Sequence, residues 1–297
     1  MDYDLSLTPD ERAANGVYYT PRFIARDLYV YTYELFRDLI PEAVDPARAA
    51  ITWTTWDCAA GTGQLTAQGN FDNLYLSSLD NAEVDLAAEV PGSTAVFQYD
   101  FLNDDPHLFQ ENSPATSEKL PPRLLQALKD NDPIIFYINP PYRDVRRIQG
   151  YSSAAHAYAK PRTKGVATNL YSLFIYRIAH LAKRFGYTRD FVIVGLTPWW
   201  LSTMPGLYNE LHRDFDFYGF DVFNAKHFPA VKGEFPLTTW AAVMHPGAKG
   251  LLRRDFTIRE YHSDGTRYRN GELLPSGKIY KTQSTTGNGH LRWEQAA

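Results

Sequence analysis

The sequence is short of several things, and each shortage removes a class of protein. Its 297 residues include one cysteine, Cys58, so neither an internal disulfide framework nor a cysteine-based structural zinc site can be built. A lone cysteine suits a reducing compartment, and a cytoplasmic location is expected. No apolar run approaches the roughly 18–20 residues that span a bilayer, and residues 1–10 are acidic, without the apolar core of a secretion signal. The eight histidines are scattered, with no pair at metal-ligand spacing beside an acid, so no metal is expected. There is no internal repeat. What remains is ordinary: 44% hydrophobic and 22% charged residues describe a globular chain long enough for one large domain, not a disordered one.

The net charge of −4 conceals an asymmetry. Residues 1–150 hold 11 basic and 23 acidic side chains, whereas residues 151–297 hold 19 and 11. Between Arg143 and Arg189 ten basic residues face a single acid, Asp144. This stretch reads either as a surface for a polyanion or as a solvated loop followed by a helix with a basic outer face.

Hydrophobic periodicity predicts a helix over residues 22–39, ended by Pro41. Strands are expected at 51–57, 74–80, 95–99, 134–138 and 191–196, and helices at 81–89 and from 170 to about 186. Residues 103–122 and 143–168 read as loops. Strands alternating with helices imply crossover connections and a mainly parallel sheet. The last stretch, 250–297, is rich in turn signals (Asp264-Gly265, Asn270-Gly271, Ser276-Gly277) and reads as a small β-rich appendage to a domain covering 1–249.

Two motifs carry chemistry. The first is Asp57-Cys58-Ala59-Ala60-Gly61-Thr62-Gly63 after the first long strand. Its glycines allow a tight bend close to a ligand, at the carboxyl end of a parallel sheet where ligands bind. It is not a dinucleotide fingerprint, because Thr66 stands where a third glycine would be, and it lacks the Gly-Lys-Ser/Thr ending of a phosphate loop. Asp80 ends the next strand and can accept both hydroxyls of a ribose. Asp100-Phe101 ends the third and offers a carboxylate and a ring to an adenine. Each acid alone could equally cap the following helix. Together they outline a nucleoside pocket without a pyrophosphate site, which suits S-adenosylmethionine better than NAD.

The second motif is Asn139-Pro140-Pro141-Tyr142 after an apolar strand. Two prolines fix the chain in an extended form and hold the Pro140 carbonyl beside the Asn139 side-chain oxygen. Two acceptors so placed can grip a planar –NH2 group and localise its delocalised lone pair, stabilising the transition state for its attack on an electrophile. Tyr142 offers a ring for stacking, worth roughly 1–3 kcal/mol per base.

On these motifs the chain resembles the amino-group DNA methyltransferases that use S-adenosylmethionine. Gly16-Val17-Tyr18-Tyr19-Thr20-Pro21, ahead of the glycine turn, looks like the segment found there in adenine-specific members of the gamma arrangement. These members include type I modification subunits and fused type II restriction enzymes. The resemblance covers roughly residues 15–245. It implies a Rossmann-like class I methyltransferase fold, with a mainly parallel seven-stranded sheet and helices on both faces. It also implies that Thr20, Asp57, Ala59 and Gly61 meet the methionine end of the cofactor, that Asp80, Asp100 and Phe101 hold its nucleoside, and that Asn139, Pro140, Pro141 and Tyr142 act on an adenine flipped out of double-stranded DNA. Methyl transfer to N6 is then direct and in line. Members place another aromatic on the far side of the base, for which Phe228 and Phe235 are candidates. Arg143, Arg146 and Arg147 would hold phosphates. Only about 50 residues follow His245, so either the tail and the 143–168 loop read a short site, or a separate specificity or restriction subunit does, or specificity is low. Other readings are methylation of a glutamine amide in a protein, of adenine in RNA, or a non-catalytic DNA-binding subunit.

Overall fold

A computed structural model describes residues 20–110, 113–163, 165–198, 200, 204–225, 228, 236–245, 247, 256–258 and 279–280. Helix α1 (Arg22–Leu39) leads into strands β1 (Val44–Asp45), β2 (Ala50–Asp57) and β3 (Phe71–Ser78). Then come α2 (Asn81–Ala87), β4 (Ser93–Gln98), α3 (Pro122–Asp130) and β5 (Ile134–Ile138). Helices α4 (Ala154–Arg162) and α5 (Leu170–Phe185) precede β6 (Phe191–Pro198). The chain continues with α6 (Pro205–Leu211), β7 (Phe215–Asn224), β8 (Pro236–Met244), β9 (Phe256–Ile258) and β10 (Ile279–Tyr280).

The strands form one sheet in the order β10-β9-β7-β8-β6-β5-β2-β3-β4, with β1 pairing on β2. From β4 to β6 every pairing is parallel, and β8 runs antiparallel to both β6 and β7. The seven long strands are the expected Rossmann-like α/β sheet. The three short ones, β1, β9 and β10, raise the total to ten. The order reverses between β2 and β5, the switch point where parallel sheets leave a crevice.

Strand β5, Ile-Ile-Phe-Tyr-Ile, shows why this sheet is covered on both faces. All five side chains are buried, and they alternate between two cores. Ile134, Phe136 and Ile138 pack with Leu124 and Leu128 of α3 and with α5. Ile135 and Tyr137 pack with Ile24, Leu28 and Phe36 of α1. Period-2 alternation inside an unbroken apolar run is the mark of a central strand, and burial of each such side chain is worth about 1.5–3 kcal/mol.

Two expectations needed correction. Residues 143–168 are not one long loop. They contain short 3-10 turns at Val145–Arg147 and Val166–Thr168, with the helix α4 between them. Its N-cap, Ser153, accepts from the His156 amide, and Ala155 and Ala159 bury its inner face. With an Ala-rich inner face and Pro161 in its last turn, the segment shows little apolar periodicity. Helix α3 lies where no helix was read, although Leu124, Leu125 and Leu128 have the spacing and Asn131 closes it in the left-handed conformation at φ 59°. Among the described residues no helix is long and apolar enough to cross a membrane. Of 250–297, the two described stretches are the strands β9 and β10, which extend the main sheet.

Candidate active site

The carboxyl ends of β2, β3, β4 and β5 open into one cavity of about 750 Å³. Each strand end contributes to its lining: Ala59 and Gly61 after β2, Leu79 and Asp80 after β3, Asp100 after β4, and Asn139 after β5. The glycine turn and the Asn-Pro-Pro-Tyr motif, 76 positions apart between Gly63 and Asn139, therefore face one space.

The turn after β2 depends on two glycines that do different work. Gly61, at φ 53°, lines the cavity. Gly63, at φ 78°, does not line it; a Cβ there would lie 2.4 Å from Val90 Cγ2. Its bareness lets the turn settle against the α2 segment, so it serves packing. Asp57 is fully buried and also absent from the cavity lining. Its Oδ1 accepts from the Ala59 amide at 3.1 Å, which ties down the turn, while Oδ2 has no partner among the described residues. Burial raises its carboxyl to about 7, because the charged form has lost its water. Cys58 lines the cavity, and its thiol is pushed well up by burial, as befits an inert cysteine.

Asp80 is a helix cap and Asp100 closes a turn, and both also line the cavity. Asp80 caps α2, its Oδ1 accepting from the Ala82 amide at 2.8 Å. Asp100 Oδ1 accepts from the amides of Leu102 at 3.0 Å and Asn103 at 3.1 Å, and Oδ2 from Asn103 Nδ2 at 2.7 Å. A carboxylate has about four acceptor sites, so each retains capacity for a ligand donor. Glu83, not singled out from the sequence, adds a third carboxylate to the lining and accepts from the Ser78 hydroxyl. Its spacing three residues after the Asp80 cap is a capping-box signature that could have drawn attention to it.

Phe101 borders the cavity but offers it little open ring face. Phe174 stacks on it at 5.2 Å and 17°, and the Arg177 guanidinium lies 4.9 Å from its centre, leaving the residue 2% exposed. Leu79 is the large apolar side chain the cavity does expose, at 64%. A solvent-facing leucine beside a strand-end acid was the available signal.

Asn139 sits at the centre of a network that joins three distant segments. Its Nδ2 donates to Thr20 Oγ1 at 2.8 Å. The Tyr142 hydroxyl donates to Asn139 Oδ1 and, at 2.9 Å, to the carbonyl of Leu196 on β6. Thr20 also lines the cavity, as does Pro141, whereas Pro140 and Tyr142 do not. Tyr142 is half-exposed and meets Tyr171 edge-on at 6.4 Å. The loop that follows completes the wall with Arg143, Ile148 and Tyr151.

Several expected substrate contacts are distributed differently. Phe228 is 1% exposed inside the core on the α1 face, drawn there by apolar burial, and does not line the cavity. Phe235 lies outside the described residues, as do residues 16–19 of the N-terminal motif and Lys164. The basic stretch is not one continuous face. Arg146 pairs with Asp144, Arg189 with Asp190, and Lys183 lies near Glu210 and Asp214. Arg177 is buried. Arg143 remains at the cavity, and Arg147, Lys160 and Arg162 are exposed. Among the described residues no three His, Cys, Asp or Glu side chains gather as metal ligands.

No family model matches the chain, and no curated protein does. Solved structures do. The chain is similar to the type IIG restriction endonuclease BpuSI at 13% identity and a TM-score of 0.47, covering 82% of this chain and 27% of that one. It is similar to a chain of a type I R-M system at 12% and 0.46, covering 90% and 49%. It is similar to the M protein of the type I restriction enzyme EcoKI at 10% and 0.42, covering 88% and 53%. The chain thus spans about a quarter to a half of the length of these three proteins.

Proposed function

We propose that this chain is an S-adenosylmethionine-dependent methyltransferase acting on the N6 amino group of adenine in DNA. The observation that supports this reading is one cavity lined at one end by the strand-end carboxylates Asp80 and Asp100 and by Glu83 of α2, and at the other by Asn139. The donor set fits the cofactor: acceptors for ribose hydroxyls and an adenine amino group, an apolar Leu79, and a glycine turn that lets the backbone approach. When bound, S-adenosylmethionine supplies an electrophilic methyl group on a sulfonium.

The remaining work belongs to the protein's own residues. Asp80 and Glu83 accept the ribose hydroxyls, and Asp100 accepts from the adenine amino group. Ala59 and Gly61 shape the floor under the methionine portion. Thr20 and Tyr142 hold the Asn139 carboxamide so that its oxygen accepts an N–H of the target amine, with the Pro140 carbonyl as second acceptor. Those acceptors favour a pyramidal nitrogen and so stabilise the charge that develops during attack. Holding both reactants in one cavity supplies the proximity term, and no covalent intermediate with the protein is required. Tyr142 stacks on the base, which leaves the duplex at a cost of a few kcal/mol. Arg143 and Arg147 hold flanking phosphates, while Arg146, already paired with Asp144, adds less to the field. In this reading residues 1–249 form the catalytic domain and 250–297 a small appendage or tail, and either that tail with the 143–168 segment reads a short DNA site, or a separate subunit does, or specificity is low.

Incubation with methyl-labelled cofactor and double-stranded DNA, followed by nucleoside analysis, is expected to yield N6-methyladenosine in its deoxy form. Label in protein glutamine or in RNA alone overturns the reading. DNA affinity is expected to fall steeply between 50 and 200 mM salt, as phosphate contacts require.

A further inference from the structure

We propose that Arg177 is a positioning residue for the nucleoside end of the cavity. It sets the backbone of residues 99–105, which carry Asp100 and Asn103, by gripping that segment from inside the core. The inference rests on the proposed cofactor reading for what the segment binds, but not for how the segment is held.

Arg177 lies in the middle of α5, on the helix face of Leu170, Leu173, Phe174 and Leu181, and is 1% exposed. Its Nη1 donates to the Phe101 carbonyl, and Nη2 donates to the Asp104 carbonyl at 2.6 Å and to the Tyr99 hydroxyl at 3.2 Å. The guanidinium is within 5.8 Å of the ring centres of Tyr99, Phe101 and Phe109. It forms no ion pair with any described carboxylate. The Tyr99 hydroxyl in turn donates to Asp105 Oδ2 at 3.0 Å, which also accepts from Ser117 at 2.6 Å. One buried fork therefore joins both ends of the 99–105 segment.

Burying a cation is costly, and an apolar side chain of similar volume usually stabilises a core as well or better. Packing alone gives no reason for arginine here. What arginine adds is geometry. A planar fork holds two donors in a fixed geometry for two carbonyls three residues apart, whereas an ammonium gathers its donors at one rotating point and a thioether has none. With Phe101 and Asp104 pinned, the turn between them presents the amides of Leu102 and Asn103 to Asp100 Oδ1, and that carboxylate is thereby aimed into the cavity.

The test uses the whole chain without ligand and follows individual amides by hydrogen exchange. In Arg177→Met, the amides of Leu102 and Asn103 are expected to exchange at least tenfold faster. The β7 and β8 amides, on strands remote from β4 in the sheet, should stay within twofold. Arg177→Lys keeps charge and length but not the fork, and is expected to lose the same local protection. Tyr99→Phe leaves the arginine in place and should move the same amides by a smaller factor. The variants' affinity for S-adenosylhomocysteine is expected to fall at least tenfold. Unchanged Leu102 and Asn103 exchange in either arginine variant, or loosening spread evenly over the sheet, overturns the proposal. Should the wild-type protein not bind S-adenosylhomocysteine, the cofactor reading fails, while the amide result still decides the role of Arg177.

Discussion

The two ends of the cavity are assembled differently. At the end proposed to take the nucleoside, the carboxylates Asp80 and Asp100 take their backbone partners from within three residues, with Arg177 of α5 bracing the segment around Asp100. At the end proposed to take the amino group, Asn139 is held by Thr20 across 119 positions, and Tyr142 reaches Leu196 across 54. The acids of the first end are oriented by their own short stretches of chain before any ligand arrives. The second exists only when α1, β5 and β6 have come together. Damage at the first should therefore show in ligand affinity. Damage at the second should show in turnover with affinity intact.

The most severe break is Asn139→Ala. It removes the acceptor for the target amine and should lower methyl transfer about a hundred- to a thousandfold. S-adenosylhomocysteine affinity by calorimetry should stay within about threefold; equal losses in both would erase the distinction between the ends. Next is Asp57→Asn, which tests the buried support of the glycine turn. Burial holds the Asp57 carboxyl at about 7 in the folded protein, against about 4 in an unfolded chain. As pH rises between those values the unfolded state sheds its proton first, so the native state loses stability over that window and no more above it. The asparagine variant lacks this loss. Its stability in urea relative to wild type should grow from pH 4 to 8, by as much as about 4 kcal/mol; a constant offset would refute it.

Thr20→Val, which removes the Asn139 Nδ2 acceptor, should reduce kcat about tenfold at unchanged cofactor affinity, and Thr20→Ser should restore it. The smallest effect expected is at Leu79→Ala: about threefold weaker binding of S-adenosylhomocysteine at an unchanged Tm, since the side chain is already 64% exposed. A fall in Tm instead would make Leu79 a packing residue.

The same contrast explains what could be read from the sequence. Strand β5 was legible to the residue because its apolar run is bounded by Pro133 and by Asn139-Pro140. Helix α1 was legible from its periodicity. The strand-end acids were legible because a cap and a ligand acceptor share one sequence position. The packing of Phe101 was not, because Phe174 and Arg177 reach it from more than 70 positions away. Charge counting grouped Arg177 with the surface cations, although its spacing from Leu170, Leu173, Phe174 and Leu181 sets it on the apolar face of α5. The bond between Thr20 and Asn139 had no local signature either; the two motifs were recognised separately, and only the fold joins them.

One hydroxyl has a consequence of its own. Tyr142 carries a single hydrogen but stands within bonding reach of two oxygens, the Asn139 carboxamide and the Leu196 carbonyl. A rotation about one C–O bond moves that hydrogen from the first to the second. In the proposed reaction the asparagine can then exchange a resident donor for an incoming one while every heavy atom stays where it was.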